Sequence, residues 1–173
     1  VAGAVALASL GYFVLSERRA RQGKPPLLEL GAIRSGRRWR ASWLVESPID
    51  LTKGEHLVVF VSTDCNVCKP WLPVLNAIHT VEGGLPVVAV LAGEAKEVVD
   101  FMAGHQVRFP LVVIKGTRLA RLVRGTPTGA HLVDGRIRDK FVGTMPEHII
   151  APVKAARQCS KQTRSSSEKA MCS

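Results

Sequence analysis

The chain predicts an α/β fold on one layered sheet, parallel in its first strands and antiparallel at its end. Three observations carry this. Short apolar runs at 57–61, 85–91 and 109–114 read as strands, the first of them continuously apolar and β-branched as a central strand buried on both faces would be. Apolar residues at helical spacing lie between them. Asp134-Gly135 then separates two further runs, 130–133 and 137–142, and this dipeptide is a strong signal for a two-residue hairpin. The order β-α-β-α-β, a hairpin and a last helix gives a central mixed sheet flanked by helices.

Residues 1–15 are apolar apart from Ser9 and Tyr12, carry no charge, and end in Ser16-Glu17-Arg18-Arg19. As a helix they would span about 22 Å, short of the ~30 Å hydrocarbon core. Residues 1–22 are therefore expected to be the end of a transmembrane anchor that is incomplete at its N-terminal side. The alternatives are the apolar region of a signal peptide or a buried helix, but no small-residue cleavage site follows cleanly, since the next residues are charged. Residues 23–49 read as a basic linker with Pro25-Pro26, in which Trp39, Ala41 and Trp43 alternate as a short strand would. The main domain spans 50–157. Within 66–80, Val67, Trp71, Val74, Leu75 and Ile78 mark one buried helical face, and Pro70 and Pro73 predict a kink after its first turn. Ala95, Val98, Val99 and Met102 mark a short helix closed by Gly104. A last helix is expected over 148–157, followed by a disordered Ser-, Lys- and Arg-rich tail over 158–173.

A chain of 173 residues can hold one domain with a full core plus appendages. Its net charge is +10, and the basic residues concentrate between Arg18 and Arg40 and in the tail. Basic residues beside an apolar segment suit anionic lipid headgroups, so a lipid bilayer is the expected partner. No zinc finger, helix-turn-helix or aromatic-basic RNA motif is present, and no nucleic-acid partner is expected. Of four cysteines, Cys159 and Cys172 lie in the polar tail, where they could pair or stay as thiols.

The other two form Cys65-Asn66-Val67-Cys68, placed where a buried strand gives way to a helical pattern. A helix N-terminus offers partial positive charge and unpaired N–H groups, which favour a thiolate. The two-residue gap permits a disulfide and lets one sulfur release a mixed disulfide formed by the other. Cys65 reads as the attacking thiol and Cys68, one turn on, as the more buried resolving thiol. Lys69 can share a helical face with Cys65 and support a thiolate. Asp64 opposes it as a like charge, or serves as a helix cap. Structural zinc uses the same spacing, but no second cysteine pair completes four ligands. A second feature is Thr126-Pro127-Thr128 at a strand entrance, where a proline can be cis.

Taken together, 60–69, the helix with Pro73, Arg124-Gly125-Thr126-Pro127 and the Asp134-Gly135 hairpin through Gly143 resemble the thioredoxin superfamily. An extra βα unit near 86–105 resembles its membrane-anchored redoxin branch, the TlpA-like disulfide reductases and the methylamine dehydrogenase accessory thioredoxins. The likeness covers roughly 50–150. It implies a thioredoxin-like fold behind an N-terminal membrane helix, and thiol–disulfide oxidoreductase activity at Cys65 and Cys68. It also implies substrate docking at Pro127, as the cis-proline facing the disulfide, and at the Thr126 backbone. It implies a disulfide-bearing protein substrate and a membrane or thioredoxin-like electron donor. No cofactor beyond the redox-active disulfide, and no metal, is expected. The chain departs from the family at Asp64, where thioredoxins usually carry Trp, and at Val59, where thioredoxin itself has a buried Asp. The Asn66-Val67 dipeptide lacks the His of strongly oxidising members.

Two rival readings also fit these residues. Ser62, three residues before Cys65, fits a thiol peroxidase, although position 58 is Val where that motif has Pro. A copper-carrying redoxin would use Cys65, Cys68 and His131. Membrane orientation draws opposing arguments. Arg18, Arg19 and Arg21 favour a cytoplasmic domain under the positive-inside tendency, while the resemblance favours the extracytoplasmic side, where disulfides form. The expectation is a single-pass membrane protein with an extracytoplasmic domain.

Overall fold

A computed structural model describes residues 31–44 and 47–170, without the side chains of 160–170. The expected anchor at 1–22 lies outside the described residues. Among the described residues, no helix is long and apolar enough to cross a membrane.

Five strands form one sheet in the order β3-β2-β1-β4-β5. They are β1 (Glu55–Ser62), β2 (Val87–Ala92), β3 (Leu111–Ile114), β4 (Thr128–Val133) and β5 (Arg136–Val142). β1 pairs parallel with β2 and β2 with β3, while β4 runs antiparallel to both β1 and β5. The helices are α1 (Trp71–Thr80), α2 (Ala95–His105), α3 (Gly116–Leu122) and α4 (Glu147–Ala170). The central position of β1 explains its unbroken apolar run: alternate residues feed two different cores. Val58 and Phe60 join one, with Val88, Val90, Ala130 and Leu132. Leu57, Val59 and Val61 join the other, with Cys68, Trp71, Leu72, Leu75 and Ile78 of the α1 side.

The first of these cores also takes in Leu119 and Leu122 of α3 and, from the N-terminal segment, Ile33, Trp39 and Leu44. This corrects the reading of 31–44 as linker with a strand. Ile33 is fully buried, its N–H donates to Leu122 O at 3.1 Å, and a single bridge joins Arg38 to Arg136. The expected strand is instead a 3-10 turn at Ala41–Trp43. Short α3 cannot cover that face alone, so the segment is drawn across it. α3 itself was not expected, since its seven residues bury only Leu119 and Leu122, too few for a periodic signal.

Three helix expectations also change. In α2, Val98 and Phe101 are buried while Val99 and Met102 are exposed, and the helix runs past Gly104 to end at Gln106 in a left-handed conformation. Val67 is 66% exposed, not on a buried face. α4 continues to Ala170, through the segment expected to be disordered. No Gly or Pro interrupts it after Pro152.

The hairpin follows the sequence closely. Asp134 and Gly135 have φ of 47° and 69°, the positive pair a two-residue turn demands. Asp134 also accepts from Gly54 N–H through Oδ1 at 3.0 Å, and its own N–H donates to Gly54 O at 2.8 Å. That ties the hairpin to the start of β1. Nearby, hydrogen bonds from the Thr52 hydroxyl and N–H hold the exposed Asp50 carboxyl below its ordinary range.

Candidate functional site

Cys65 and Cys68 sit just beyond the C-terminal end of β1 and are joined as a disulfide, with Cα atoms 5.3 Å apart. The segment between strand and helix is a run of tight turns. Cys65 N–H donates to Ser62 O at 3.1 Å, Cys68 N–H to Cys65 O at 3.0 Å and Trp71 N–H to Cys68 O at 3.0 Å. α1 proper starts at Trp71, after Pro70. Pro70 and Pro73 explain this. Pro70 stands at the cap and Pro73 in the first turn, where N–H groups have no intrahelical acceptor. The kink expected inside the helix becomes a delayed start. It also means that Asp64 does not cap α1.

Cys65 is half-buried and Cys68 fully buried, the asymmetry expected of an attacking and a resolving sulfur. Cys68 packs among Val59, Val61, Trp71 and Leu72 in the apolar core beneath the turns. Trp71 rests against Phe141 of β5, ring centroids 5.9 Å apart. Phe141 in turn lies over Gly129, where a Cβ would meet the ring at 2.2 Å, so only glycine fits at that point of β4. Asp64 is exposed, and Lys69 hydrogen-bonds Asn66 Oδ1 at 3.0 Å.

Pairing of β1 with β4 brings the second sequence feature to the same end of the sheet. Phe60 stands opposite Thr128, so Thr126 and Pro127 lie beside the strand end that leads into Cys65. The Thr126–Pro127 peptide bond is cis, and Pro127 is buried while Thr126 is partly open. The Thr128 hydroxyl donates to Gly125 O at 2.7 Å, and Gly143 N–H donates to Pro127 O at 3.1 Å, fixing the loop on both sides. A cleft of about 380 Å³ runs here, lined by Ser62, Ala92, Gly116, Leu119 and Gly125-Thr126 among others. The exposed Val67, and Val142 opposite Thr128, give this end apolar surface that periodicity did not single out.

The inserted βα unit braces the segment that leads from β1 into Cys65. Glu94 and Glu97 cap α2 reciprocally, and the Thr63 hydroxyl donates to Glu97 Oε2 at 3.2 Å. His131 does not join the cysteines. It pairs with Leu57, five residues before Ser62. Four residues of strand from Pro127 place it about 13 Å away. The copper-carrying set of Cys65, Cys68 and His131 is therefore not assembled. Ser62 stands at the end of β1, with its carbonyl accepting from Cys65 N–H.

No protein-family model and no curated protein matches this chain. Solved structures do. The chain is similar to a protein assigned as thiol:disulfide interchange protein DsbE from Chlorobium tepidum, at 24% identity and TM-score 0.52, over 63% of this chain and 79% of that one. It is similar to a thiol:disulfide interchange protein from Bacteroides sp., at 14% identity and TM-score 0.52, over 63% and 82%. The thioredoxin domain of a thiol-disulfide oxidoreductase from Bacteroides vulgatus matches at 15% identity and TM-score 0.51, over 61% and 81%. At these identities the likeness is one of fold: an α/β thioredoxin-like fold, with a central mixed sheet flanked by helices.

Proposed function

We propose that this protein is a thiol–disulfide oxidoreductase acting on protein disulfides through Cys65 and Cys68. The observation that carries the reading is the paired sulfurs themselves. One is half-open and one buried, joined at the end of the central strand beside the Thr126–Pro127 loop. In the reductive direction, the Cys65 thiolate attacks one sulfur of a substrate disulfide. The substrate's other sulfur leaves as a thiolate and takes a proton from solvent. Cys68, as a thiolate, then attacks Cys65 Sγ, releasing the second substrate thiol and forming the Cys65–Cys68 disulfide. Two electrons have passed to the substrate, and a dithiol donor restores the pair by the same exchange run in reverse.

Thr126 and Pro127 are well placed to receive an extended substrate segment, with Val67 and Val142 as apolar flanks. Asp64 and Lys69 flank the attacking sulfur as opposite charges. The test is a trap. Cys68→Ser should accumulate mixed disulfides through Cys65, seen as adducts that reductant dissolves. Equal accumulation when Cys65 is replaced as well would sink the reading.

The reading extends to location: a single-pass anchor at the N-terminal apolar segment, holding the domain on the extracytoplasmic face. Support comes from the uncharged run at 1–15 with its basic flank, and from the chemistry, since protein disulfides persist in oxidising compartments. An anchor also raises the local concentration of a membrane-bound electron donor. A C-terminal reporter that works only outside the cytoplasm should be active in the full chain. A stably made but inactive fusion would place the domain inside.

A further inference from the structure

Away from the dithiol, His131, Asp139 and His148 come together where β4, β5 and the first turn of α4 meet. His131 is 5% exposed. Its Nε2 stands 2.7 Å from Glu55 Oε1. A carboxylate can only accept, so Nε2 carries the proton and donates it. In the neutral ring, Nδ1 is then left with its lone pair. That atom is buried without a hydrogen-bond partner. It faces Asp139 Oδ2 at 3.7 Å, and the same oxygen lies 3.5 Å from His148 Nε2. Two acceptors facing each other, the nitrogen of them buried, call for something positive between them.

A β-bulge creates this arrangement. Leu132 pairs with Ile137, but His131 pairs with Asp139, leaving Arg138 as the extra residue. In regular register His131 would stand opposite Arg138. The bulge also reverses which face the later residues of β5 occupy, so that Ile137 belongs to one core and Phe141 to the other. One inserted residue therefore replaces a guanidinium opposite His131 with a carboxylate.

We propose that His131 Nδ1, Asp139 Oδ2 and His148 Nε2 bind a divalent transition cation, with zinc the best match. Glu55 is the positioning residue that fixes the His131 tautomer. The donor set of two imidazole nitrogens and one carboxylate oxygen suits borderline cations. The three ligand atoms lie within 4.8 Å of one another. Ligands 2.0–2.1 Å from a tetrahedral zinc are about 3.3 Å apart, so two of the three separations are nearly preformed. The Glu55 hydrogen bond is the outer-shell carboxylate that ligating histidines use. Asp139 and His148 are 44% and 54% exposed, which leaves a path from solvent and room for a water as fourth ligand.

The test is calorimetric titration of the full chain with zinc, with the Cys65–Cys68 disulfide intact and any remaining thiols blocked, so that sulfur cannot ligate. One saturable site is expected. Asp139→Asn and His148→Gln should each weaken it at least about tenfold. Both side chains are part-exposed and neither lies among the residues placed at the dithiol or its docking loop, so disulfide exchange should be unchanged in both variants. Absence of saturable binding at millimolar zinc, or affinity that neither variant lowers, would overturn the site. Copper(II) gives a second readout that needs no variant. Its electron paramagnetic resonance spectrum on the unaltered chain should show coupling to two imidazole nitrogens, and coupling to fewer would also overturn the site.

Discussion

Cys65→Ser is expected to lower the reduction of insulin disulfides, with a dithiol as electron source, by at least about a thousandfold relative to the wild-type protein. The expectation rests on accessibility. Cys65 is the open sulfur, while Cys68 is sealed among Val59, Val61, Trp71 and Leu72 and cannot meet a protein substrate first. A serine hydroxyl at position 65 neither ionises nor exchanges with a disulfide at neutral pH, so the first step has no nucleophile. Stability should change little, because position 65 is half-exposed. Substantial residual turnover in Cys65→Ser, above the dithiol's own background, would mean that Cys68 attacks directly and that the assigned order of sulfurs is wrong.

Val59→Asp should produce the largest loss of stability at the site, about 3–5 kcal/mol at neutral pH. Val59 is fully buried in the middle of β1 and packs in the same apolar core as Cys68 and Leu75, where a carboxylate would be surrounded by hydrocarbon. The sign with pH follows from burial. Desolvation raises the folded-state pKa of the new carboxyl above its unfolded value of about 3.9. The deficit is therefore smallest below about pH 4 and grows by about 1.4 kcal/mol per pH unit as the unfolded chain ionises. It levels off once the pH passes the raised pKa. Denaturant unfolding of wild type and variant at acidic and neutral pH measures this. An equal deficit at both would show that water reaches position 59. The prediction bears on mechanism, because native Val59 leaves β1 without a carboxylate at this position to take the Cys68 proton.

The sheet was legible because burial on both faces forces a distinctive composition. Leu57 through Val61 must satisfy two cores at once, so the run is apolar at every position and needs no context to be recognised. Asp134-Gly135 was legible because few residue pairs tolerate two positive φ angles in succession. The N-terminal segment was not. Trp39, Ala41 and Trp43 alternate as a strand would, yet Ala41–Trp43 turns as a 3-10 helix, because its role is to cover a sheet face rather than to extend the sheet. Val67, Val99 and Met102 fitted helical spacing and still ended up exposed, since periodicity marks a face without saying whether anything packs on it.

The division at the functional sites has the same cause. The sequence by itself determined the dithiol and its place after the central strand, because these depend on short spacings and on residues with singular chemistry; Pro127 as its companion was only what the family resemblance implied. What only the tertiary structure decided depends on register between distant strands. The pairing of Phe60 with Thr128 brings Pro127 to the end of β1 that leads into Cys65. One extra residue, Arg138, sets Asp139 against His131. Strand register is fixed by the packing of both sheet faces together, and a one-residue shift changes every cross-strand neighbour. No local pattern in the chain carries that information.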